Sequence, residues 1–226
     1  MNKEIFARSI GLLGEDNFNL LKNKVVAVFG LGGVGGTALE ALARTGIQHF
    51  IIVDFDKVDA SNLNRQILYT TKDIGCDKTE AAKDRLLAIN PDVDVKAFKC
   101  KAQDFDFNQK IDYLVDAIDD VDGKLYLLKK AQENNIPSIM SLGMANRFKP
   151  EQVRVSKLNQ TRNDPLAKKI RYLAKKEELD LSLVNVVISE EIPQQNREKL
   201  YSTMMVPSSA GLTIAKFILN RIIDNK

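Results

Sequence analysis

The stretch VVAVFGLGGVGGTALEALARTGIQHFIIVDFD, from Val25 to Asp56, decides the fold of this chain. It begins and ends with apolar runs typical of buried strands, and a helix-like segment lies between them. Five glycines stand within the seven residues Gly30–Gly36, between the first strand and the helix. This order predicts an anion-binding turn, because glycines let backbone N–H groups approach an anion at a helix N-terminus.

The bulk composition is that of one folded domain. The chain has 226 residues, of which 44% are hydrophobic and 28% charged, and its formal net charge is +3. Its two cysteines, Cys76 and Cys100, form no CxxC pair, which excludes a four-cysteine zinc site and favours a reducing compartment. No apolar run has the length of a membrane span, so the sequence predicts a cytoplasmic protein without a membrane partner.

Strands and helices alternate up to about residue 143. The predicted strands are Val25–Phe29, Phe50–Val53, Val93–Cys100, Tyr113–Ala117 and Ile139–Leu142, and the predicted helices are Thr37–Thr45, Thr79–Ile89 and Lys124–Asn134. This alternation predicts an α/β fold with a doubly wound, Rossmann-like sheet, parallel in its N-terminal part and covered by helices on both faces.

The pattern changes in the last third of the chain. Strands are predicted at Gln152–Ser156 and Leu183–Ser189, with a closing helix at Ala210–Ile223. Between the two strands lies a basic stretch whose helix begins at Asp164-Pro165 and places Lys168, Arg171 and Lys175 on one positive face. The expected organisation is a single domain, 1–226, with a nucleotide-binding core at 8–143 and a C-terminal elaboration at 144–226.

The glycine loop satisfies the G-x-G-x-x-G spacing through Gly30, Gly32 and Gly35. Asp54, at the end of the second strand, is placed to accept hydrogen bonds from ribose hydroxyls. These features suit NAD and ATP equally, and a tight turn without a ligand is the structural alternative.

Polar residues downstream of the loop favour ATP. They are Asp56, Asn62, Asn64, Arg65, Gln66, Lys78, Asp116, Asp119 and Asp120. The basic groups suit a triphosphate, and carboxylates at the end of a strand suit Mg²⁺, which prefers oxygen ligands. Two alternatives stay open, since Lys78 would also serve as a solvated helix residue and Asp120 as a helix N-cap.

These motifs together resemble the ThiF/MoeB-type adenylating enzymes, which are related to ubiquitin-activating enzymes. That family activates a carboxylate with Mg-ATP and releases pyrophosphate. Arg8 resembles an N-terminal arginine that reaches across a homodimer into the partner's ATP site. The resemblance implies nucleotide binding by Arg8, Gly30, Gly32, Gly33, Gly35, Asp54, Asp56, Asn62, Arg65, Gln66 and Lys78, catalysis by Arg65, Lys78 and Asp119, and Mg²⁺ at Asp119.

The second half narrows the resemblance within the family. The segments DPLAKKIR (164–171) and VPSSAGL (206–212) are similar to the tRNA threonylcarbamoyladenosine dehydratase branch, and the CxxC pairs of carrier-protein enzymes are absent. This implies ATP-dependent cyclisation of N6-threonylcarbamoyladenosine in tRNA by a homodimer, and leaves open a sulfur-relay protein as a further partner. The alternatives are adenylation of the C-terminal carboxylate of a sulfur-carrier or ubiquitin-like protein, an inactive ATP-binding scaffold, and an NAD oxidoreductase.

Overall fold

The computed structural model describes residues 4–162, 164–194 and 200–224. The strands are β1 (Val25–Phe29), β2 (His49–Val53), β3 (Asp94–Phe98), β4 (Tyr113–Asp116), β5 (Ser138–Ser141), β6 (Val153–Lys157) and β7 (Asn185–Ser189). The α-helices are α1 (Ala7–Leu13), α2 (Glu15–Lys22), α3 (Gly33–Thr45), α4 (Lys78–Ile89), α5 (Val121–Glu133), α6 (Pro165–Lys176) and α7 (Met205–Asp224).

The strands form one sheet in the order β3-β2-β1-β4-β5-β7-β6. All neighbouring pairs are parallel except β7 and β6, which run antiparallel. The predicted α/β class and the parallel N-terminal sheet are confirmed. The strand order reverses between β1 and β4, so the loops that follow these two strands diverge and leave a crevice at the carboxyl edge of the sheet.

The central strands β1, β2 and β4 are buried along almost their whole length because helices cover both faces of the sheet. Every residue of β4 is buried, as are four of the five residues of β1 and of β2. This explains why the sequence shows short continuous apolar runs here rather than the alternation of a half-exposed strand.

The closing helix begins earlier than predicted, at Met205 instead of Ala210. Pro207 lies in its first turn, where a missing backbone N–H removes no helical hydrogen bond. Further along, a Cβ atom on Gly211 would lie 2.5 Å from the carbonyl oxygen of Val34, so α7 packs directly on the backbone of α3. The C-terminal helix therefore packs against the first turn of α3, where the glycine loop ends.

The C-terminal part continues the same sheet, because β7 pairs with β5 across the expected boundary at residue 143. The division at that residue stays a prediction. Asp164 caps α6 by accepting a hydrogen bond from the Ala167 N–H at 2.9 Å.

One member of the predicted positive face of α6 does not point into solvent. Arg171 is half-buried, and its guanidinium donates to the backbone carbonyl of Thr161 at 3.1 Å. Lys168, Lys175 and Lys176 are exposed on the same helix. The solvent-facing charge of α6 therefore comes from its lysines. Within the described residues no helix has both the length and the apolar character of a membrane span.

Candidate active site

The glycine loop turns back against the end of β4 at a distance that only glycine permits. Gly30 has a φ of 86°, and a Cβ atom there would lie 2.6 Å from the carbonyl oxygen of Ala117. A Cβ atom on Gly35 would lie 1.8 Å from the Gly30 carbonyl oxygen. By contrast, the nearest atom to a Cβ on Gly32 is the Gln66 Nε2 at 3.9 Å. The loop is thus closed on its inner side and open on the side where an anion would approach the start of α3.

Asp54 fixes the glycine loop to the end of β2. One carboxylate oxygen accepts a hydrogen bond from the Leu31 N–H at 2.7 Å, and the other accepts one from the Asp56 N–H at 2.8 Å. Burial raises the pKa of Asp54, while the nearby charge of Lys78 acts in the opposite direction. Its predicted contact with ribose stays a prediction, and it would have to use the lone pairs that these two bonds leave.

Lys78 is buried rather than solvated. Its side chain lies at the start of α4, the residue is only 6% exposed, and its ammonium group donates to the Asp56 carboxylate at 2.8 Å. The alternative of a solvated helix residue is therefore wrong. Asp56 keeps about half of its side-chain surface exposed, so the pair holds one positive and one negative group at the mouth of the crevice.

The segment after β2 forms a short 3₁₀ turn that presents Arg65. Asn62 closes this turn by accepting from the Asp59 N–H at 3.2 Å. The Arg65 guanidinium donates to the Ser61 carbonyl at 2.8 Å and to the Asn64 side-chain oxygen at 3.0 Å. These bonds leave part of the guanidinium fork available to a ligand.

Gln66 carries a buried polar atom without a protein partner. The residue is 5% exposed, and its side-chain oxygen has no hydrogen-bond partner. Because a buried, unpaired polar atom costs about 1–3 kcal/mol, such an atom beside the glycine loop is typical of a site that a polar ligand completes.

The three carboxylates at the end of β4 and in the loop after it have three different environments. Asp116 was expected at the ligand edge but is buried, and it accepts from the Lys124 ammonium group at 2.8 Å. Burial raises its pKa, and Lys124 opposes the rise. Asp120 caps α5 through the Gly123 N–H at 2.7 Å, so the N-cap alternative is correct. Only Asp119 combines exposure with freedom from the helix cap, which makes it the candidate for a metal ion.

Two buried cations were not predicted from the sequence. Lys124 is fully buried and also donates to the Ser141 carbonyl at 2.8 Å, so it joins α5 to the ends of β4 and β5. Arg147 is 6% exposed, donates to the Gly143 carbonyl, and lies 3.6 Å from the Asp164 carboxylate. The only sequence signal for the first was an aspartate at a strand end with a lysine eight residues later, a spacing that many surface pairs share.

The fold brings nearly all predicted site residues to one place. The loops that follow β1, β2 and β4 at the carboxyl edge, together with the start of α4, carry Gly30, Gly32, Gly33, Gly35, Asp54, Asp56, Asn62, Arg65, Gln66, Lys78 and Asp119. Arg8 lies exposed on α1, before the sheet begins, and its predicted role requires a second copy of the chain. In the described part of the chain, no group of three or more His, Cys, Asp or Glu residues is arranged to hold a metal ion.

Comparison with known proteins finds one family along most of the chain and relatives that match nearly all of it. Residues 6–165 match the model of the ThiF family. The tRNA threonylcarbamoyladenosine dehydratase of Bacillus subtilis (strain 168) is 36% identical over 242 residues, which span 97% of this chain and 95% of the relative. A Saccharomyces cerevisiae relative, tRNA threonylcarbamoyladenosine dehydratase 2, is 33% identical over 98% of this chain and 57% of its own length.

The solved structures include a close match in three dimensions. The crystal structure of E. coli tRNA N6-threonylcarbamoyladenosine dehydratase, TcdA, in complex with ATP superposes with a TM-score of 0.92 at 30% sequence identity, covering 99% of this chain and 95% of that one. With the glycine loop, the basic residues and the sheet topology described above, these matches establish that the chain belongs to the ThiF family.

Proposed function

We propose that this protein is an ATP-dependent tRNA threonylcarbamoyladenosine dehydratase. The observation that carries the proposal is the full-length similarity to dehydratases of that name, combined with an open glycine loop flanked by Arg65 and Lys78. The E. coli relative was crystallised with ATP and with AMP, the nucleotides expected before and after adenylate transfer.

The residues present fit ATP. The start of α3 supplies backbone N–H groups to an anion, and Arg65 and Lys78 supply charge to its phosphates. The Gln66 amide nitrogen lies nearest to Gly32, and the unpaired oxygen of the same amide offers an acceptor to a bound ligand. A nucleotide there completes hydrogen bonds that the protein alone leaves unmade.

A divalent cation fits at Asp119. Mg²⁺ keeps several waters and is commonly bound by one or two carboxylates together with substrate phosphates, so a single exposed aspartate is an adequate protein contribution. When bound, the ion would neutralise charge on the phosphates. Lys78, held at the mouth of the crevice by Asp56, and Arg65 do the same from the protein side.

The chemistry follows from the substrate. The modified adenosine carries a threonine carboxylate and a ureido nitrogen in one molecule, so ring closure has a high effective concentration. Carboxylate oxygen is a poor leaving group. The carboxylate therefore attacks the α-phosphorus of ATP and expels pyrophosphate. The ureido nitrogen then attacks the acyl carbon, loses its proton and expels AMP, and the net change in the nucleoside is the loss of one water. This scheme uses no enzyme thiol.

The proposal is tested by incubating the purified chain with ATP and tRNA that carries the modification. Mass spectrometry of the digested tRNA should show a nucleoside lighter by one water, with one AMP and one pyrophosphate formed per ring. The control is the same tRNA without the modification, which should stimulate no pyrophosphate release. Release stimulated by a sulfur-carrier or ubiquitin-like protein, and not by modified tRNA, would instead support carrier-protein adenylation.

Two further parts of the proposal concern the setting of the enzyme. A homodimer is proposed because Arg8 lies exposed on α1, before the sheet begins. The role that the family resemblance gives to this arginine is in the ATP site of a second copy of the chain. A cytoplasmic location is proposed because tRNA is the substrate. Light scattering of the purified chain measures its mass in solution, and a monomer that is fully active would contradict the first of these.

A further inference from the structure

A large aromatic side chain stands exposed beside the proposed site. Phe148 is 68% exposed and belongs to the segment 143–149, which we call the β5 loop because it follows β5. β5 and β7 are parallel and β6 is antiparallel to them, so the β5 loop leaves the sheet at its carboxyl edge, the edge of the nucleotide site. An exposed phenylalanine costs about 2 kcal/mol relative to a buried one, so its position calls for an explanation.

The backbone that carries Phe148 is held in one conformation. The N–H groups of Phe148 and Lys149 both donate to the Glu191 side chain at 2.7 Å. Asn146 adopts a φ of 57°, and it exchanges two hydrogen bonds with the Tyr201 backbone, at 2.7 and 2.9 Å. The buried guanidinium of Arg147 donates to the Gly143 carbonyl and so links the two ends of the loop. The ring is therefore presented from a pre-organised loop, which lowers the entropic cost of a contact with a ligand.

The β5 loop is connected to the nucleotide site through a short chain of hydrogen bonds. The side-chain oxygen of Asn64 accepts from Arg65 at 3.0 Å, and its amide group donates to the Ser202 carbonyl at 2.9 Å. The neighbouring Tyr201 is bonded to Asn146, as described above. Two side-chain amides thus span the distance between Arg65 and the residues just before Phe148.

The other side of the β5 loop meets the basic helix. The ion pair between Arg147 and Asp164 joins the loop to the N-cap of α6. From this cap, the exposed Lys168 and Lys175 continue along the helix. The β5 loop, which carries Phe148, therefore lies between a site suited to ATP phosphates and a cationic helix. This combination is typical of surfaces that bind single-stranded regions of RNA.

We propose that Phe148 is a stacking platform for a base of the tRNA substrate, at or next to the modified adenosine. Modified nucleosides that an enzyme must reach are presented unstacked, and an aromatic face replaces the lost stacking. The proposal rests on the proposed function, because it takes its ligand from the tRNA substrate. It predicts a specific contribution to tRNA binding and none to ATP binding.

The experiment measures binding of fluorescently labelled, modified tRNA by anisotropy without ATP. Phe148→Ala should raise the Kd on the order of tenfold to a hundredfold, and Phe148→Tyr should keep the wild-type value, because tyrosine retains the aromatic face. Phe148→Leu, which retains apolar area without an aromatic face, should bind as weakly as Phe148→Ala. The slope of log Kd against log salt should not change, because no charge is removed. Leu183→Ala, at an exposed site before β7 at the opposite edge, is the control.

Three results would overturn the proposal. Wild-type affinity in Phe148→Ala is the first. Wild-type affinity in Phe148→Leu is the second, since it assigns the effect to apolar packing. The third is a lower mass by light scattering for Phe148→Ala than for the wild-type protein, which assigns the ring to contact with a second copy. A wild-type protein that forms no cyclic product from this tRNA contradicts the proposed function instead, so the two failures are distinguishable.

Discussion

At the scale of single residues, Arg65 and Lys78 have different structural settings and give different predictions for stability. We expect Arg65→Ala and Lys78→Ala each to lower ATP–pyrophosphate exchange by about 10²- to 10³-fold, because each removes a donor to the phosphates. Arg65→Ala should keep the wild-type melting temperature. Lys78→Ala should lower it, since it deletes a buried side chain and its bond to Asp56.

The matched control for this pair is Lys72→Ala, which removes an exposed lysine from the same connection. It should change neither quantity. Near-normal ATP–pyrophosphate exchange in Arg65→Ala or Lys78→Ala would show that the replaced residue does not bind the phosphates of ATP.

Asp119 is expected to set the divalent-ion requirement. In Asp119→Asn the concentration of Mg²⁺ that gives half-maximal activity should rise strongly, with partial recovery at high Mg²⁺ or Mn²⁺, because an amide oxygen is a weaker ligand than a carboxylate. Asp122→Asn, an exposed carboxylate in the first turn of α5, is the control. Full activity of the wild-type chain without any divalent ion contradicts the assignment.

The two buried cations show where prediction from the sequence stops. The glycine loop and Asp54 were predictable because a strand, a loop and a helix are each recognised from local sequence. Ligands of such sheets bind at the carboxyl edge, where this loop and Asp54 lie. Lys124 was not, because its burial depends on Asp116 and on the Ser141 carbonyl, which come together only when α5 has packed on the sheet. Arg147 depends in the same way on Asp164 from a separate helix.

At the scale of elements, α6 is the helix that we expect to contact the tRNA backbone, because the substrate is a polyanion and the face of this helix is basic. Its outward face combines Lys168, Lys175 and Lys176 with Tyr172, whose ring centroid lies 4.6 Å from the Lys176 ammonium nitrogen. Replacing these three lysines with glutamine should weaken binding of all tRNA sequences and flatten the log–log salt dependence by roughly one unit per lost phosphate contact. ATP affinity should not change.

Lys96→Gln with Lys110→Gln removes two exposed lysines outside α6 and serves as the control. An unchanged salt slope in the α6 variant would indicate that its lysines serve only solubility. Arg171 is left out of the variant because it bonds to Thr161 and supports the fold.

The contact between α3 and α4 predicts that the free energy of unfolding depends on pH. Glu40 of α3 bonds to Arg44 and to Arg85 of α4, and although burial acts to raise its pKa, the two arginines outweigh burial and hold it below the usual 4.5. The stabilisation is therefore present above that value and is lost as the pH falls through the lower, folded-state pKa. Glu40→Gln should cost about 1–3 kcal/mol near neutral pH and nothing in strong acid.

Urea denaturation at a series of pH values measures this difference. Glu133→Gln is the control, since its ion pair with Lys130 is solvent-exposed and surface pairs contribute little. A cost of Glu40→Gln that does not vary with pH would assign the effect to packing.

Element types followed from the sequence more closely than element bounds did. Apolar runs between glycines and helical periodicity gave the strand–helix alternation correctly from residue 25 to residue 143. The start of α7 was missed because Pro207 normally argues against a helix interior. Here the proline falls in the first turn, where it removes no helical hydrogen bond. Gly211 lay inside the predicted helix, but the reason for a glycine there, the close approach to Val34, depends on tertiary packing that the sequence does not display locally.

At the scale of the whole molecule, the predicted homodimer can be tested by subunit mixing. Arg8→Ala and Arg65→Ala should each be inactive as pure proteins. If Arg8 serves the partner's site, a mixed dimer has one site that contains both arginines. Random exchange of equal amounts should then restore about a quarter of wild-type activity, because half of the dimers are mixed and each has one intact site of two.

Mixing two samples of the same variant is the control and should restore nothing. Failure of the unlike pair to regain activity, while light scattering shows that subunits exchange, would place Arg8 outside the partner's site.

The position of β7 has a consequence for how this protein is made. β7 lies between β5 and β6, yet it is the last of the three to leave the ribosome. While the residues between Ser141 and Asn185 are being synthesised, the outer edge of β5 has no neighbour, and β6 emerges without the strand it pairs with. An unpaired apolar strand edge is a template for association with other chains. A nascent chain halted in this interval is therefore prone to aggregate through its unpaired strands. We expect nascent chains to require chaperone binding until β7 has paired with β5 and β6.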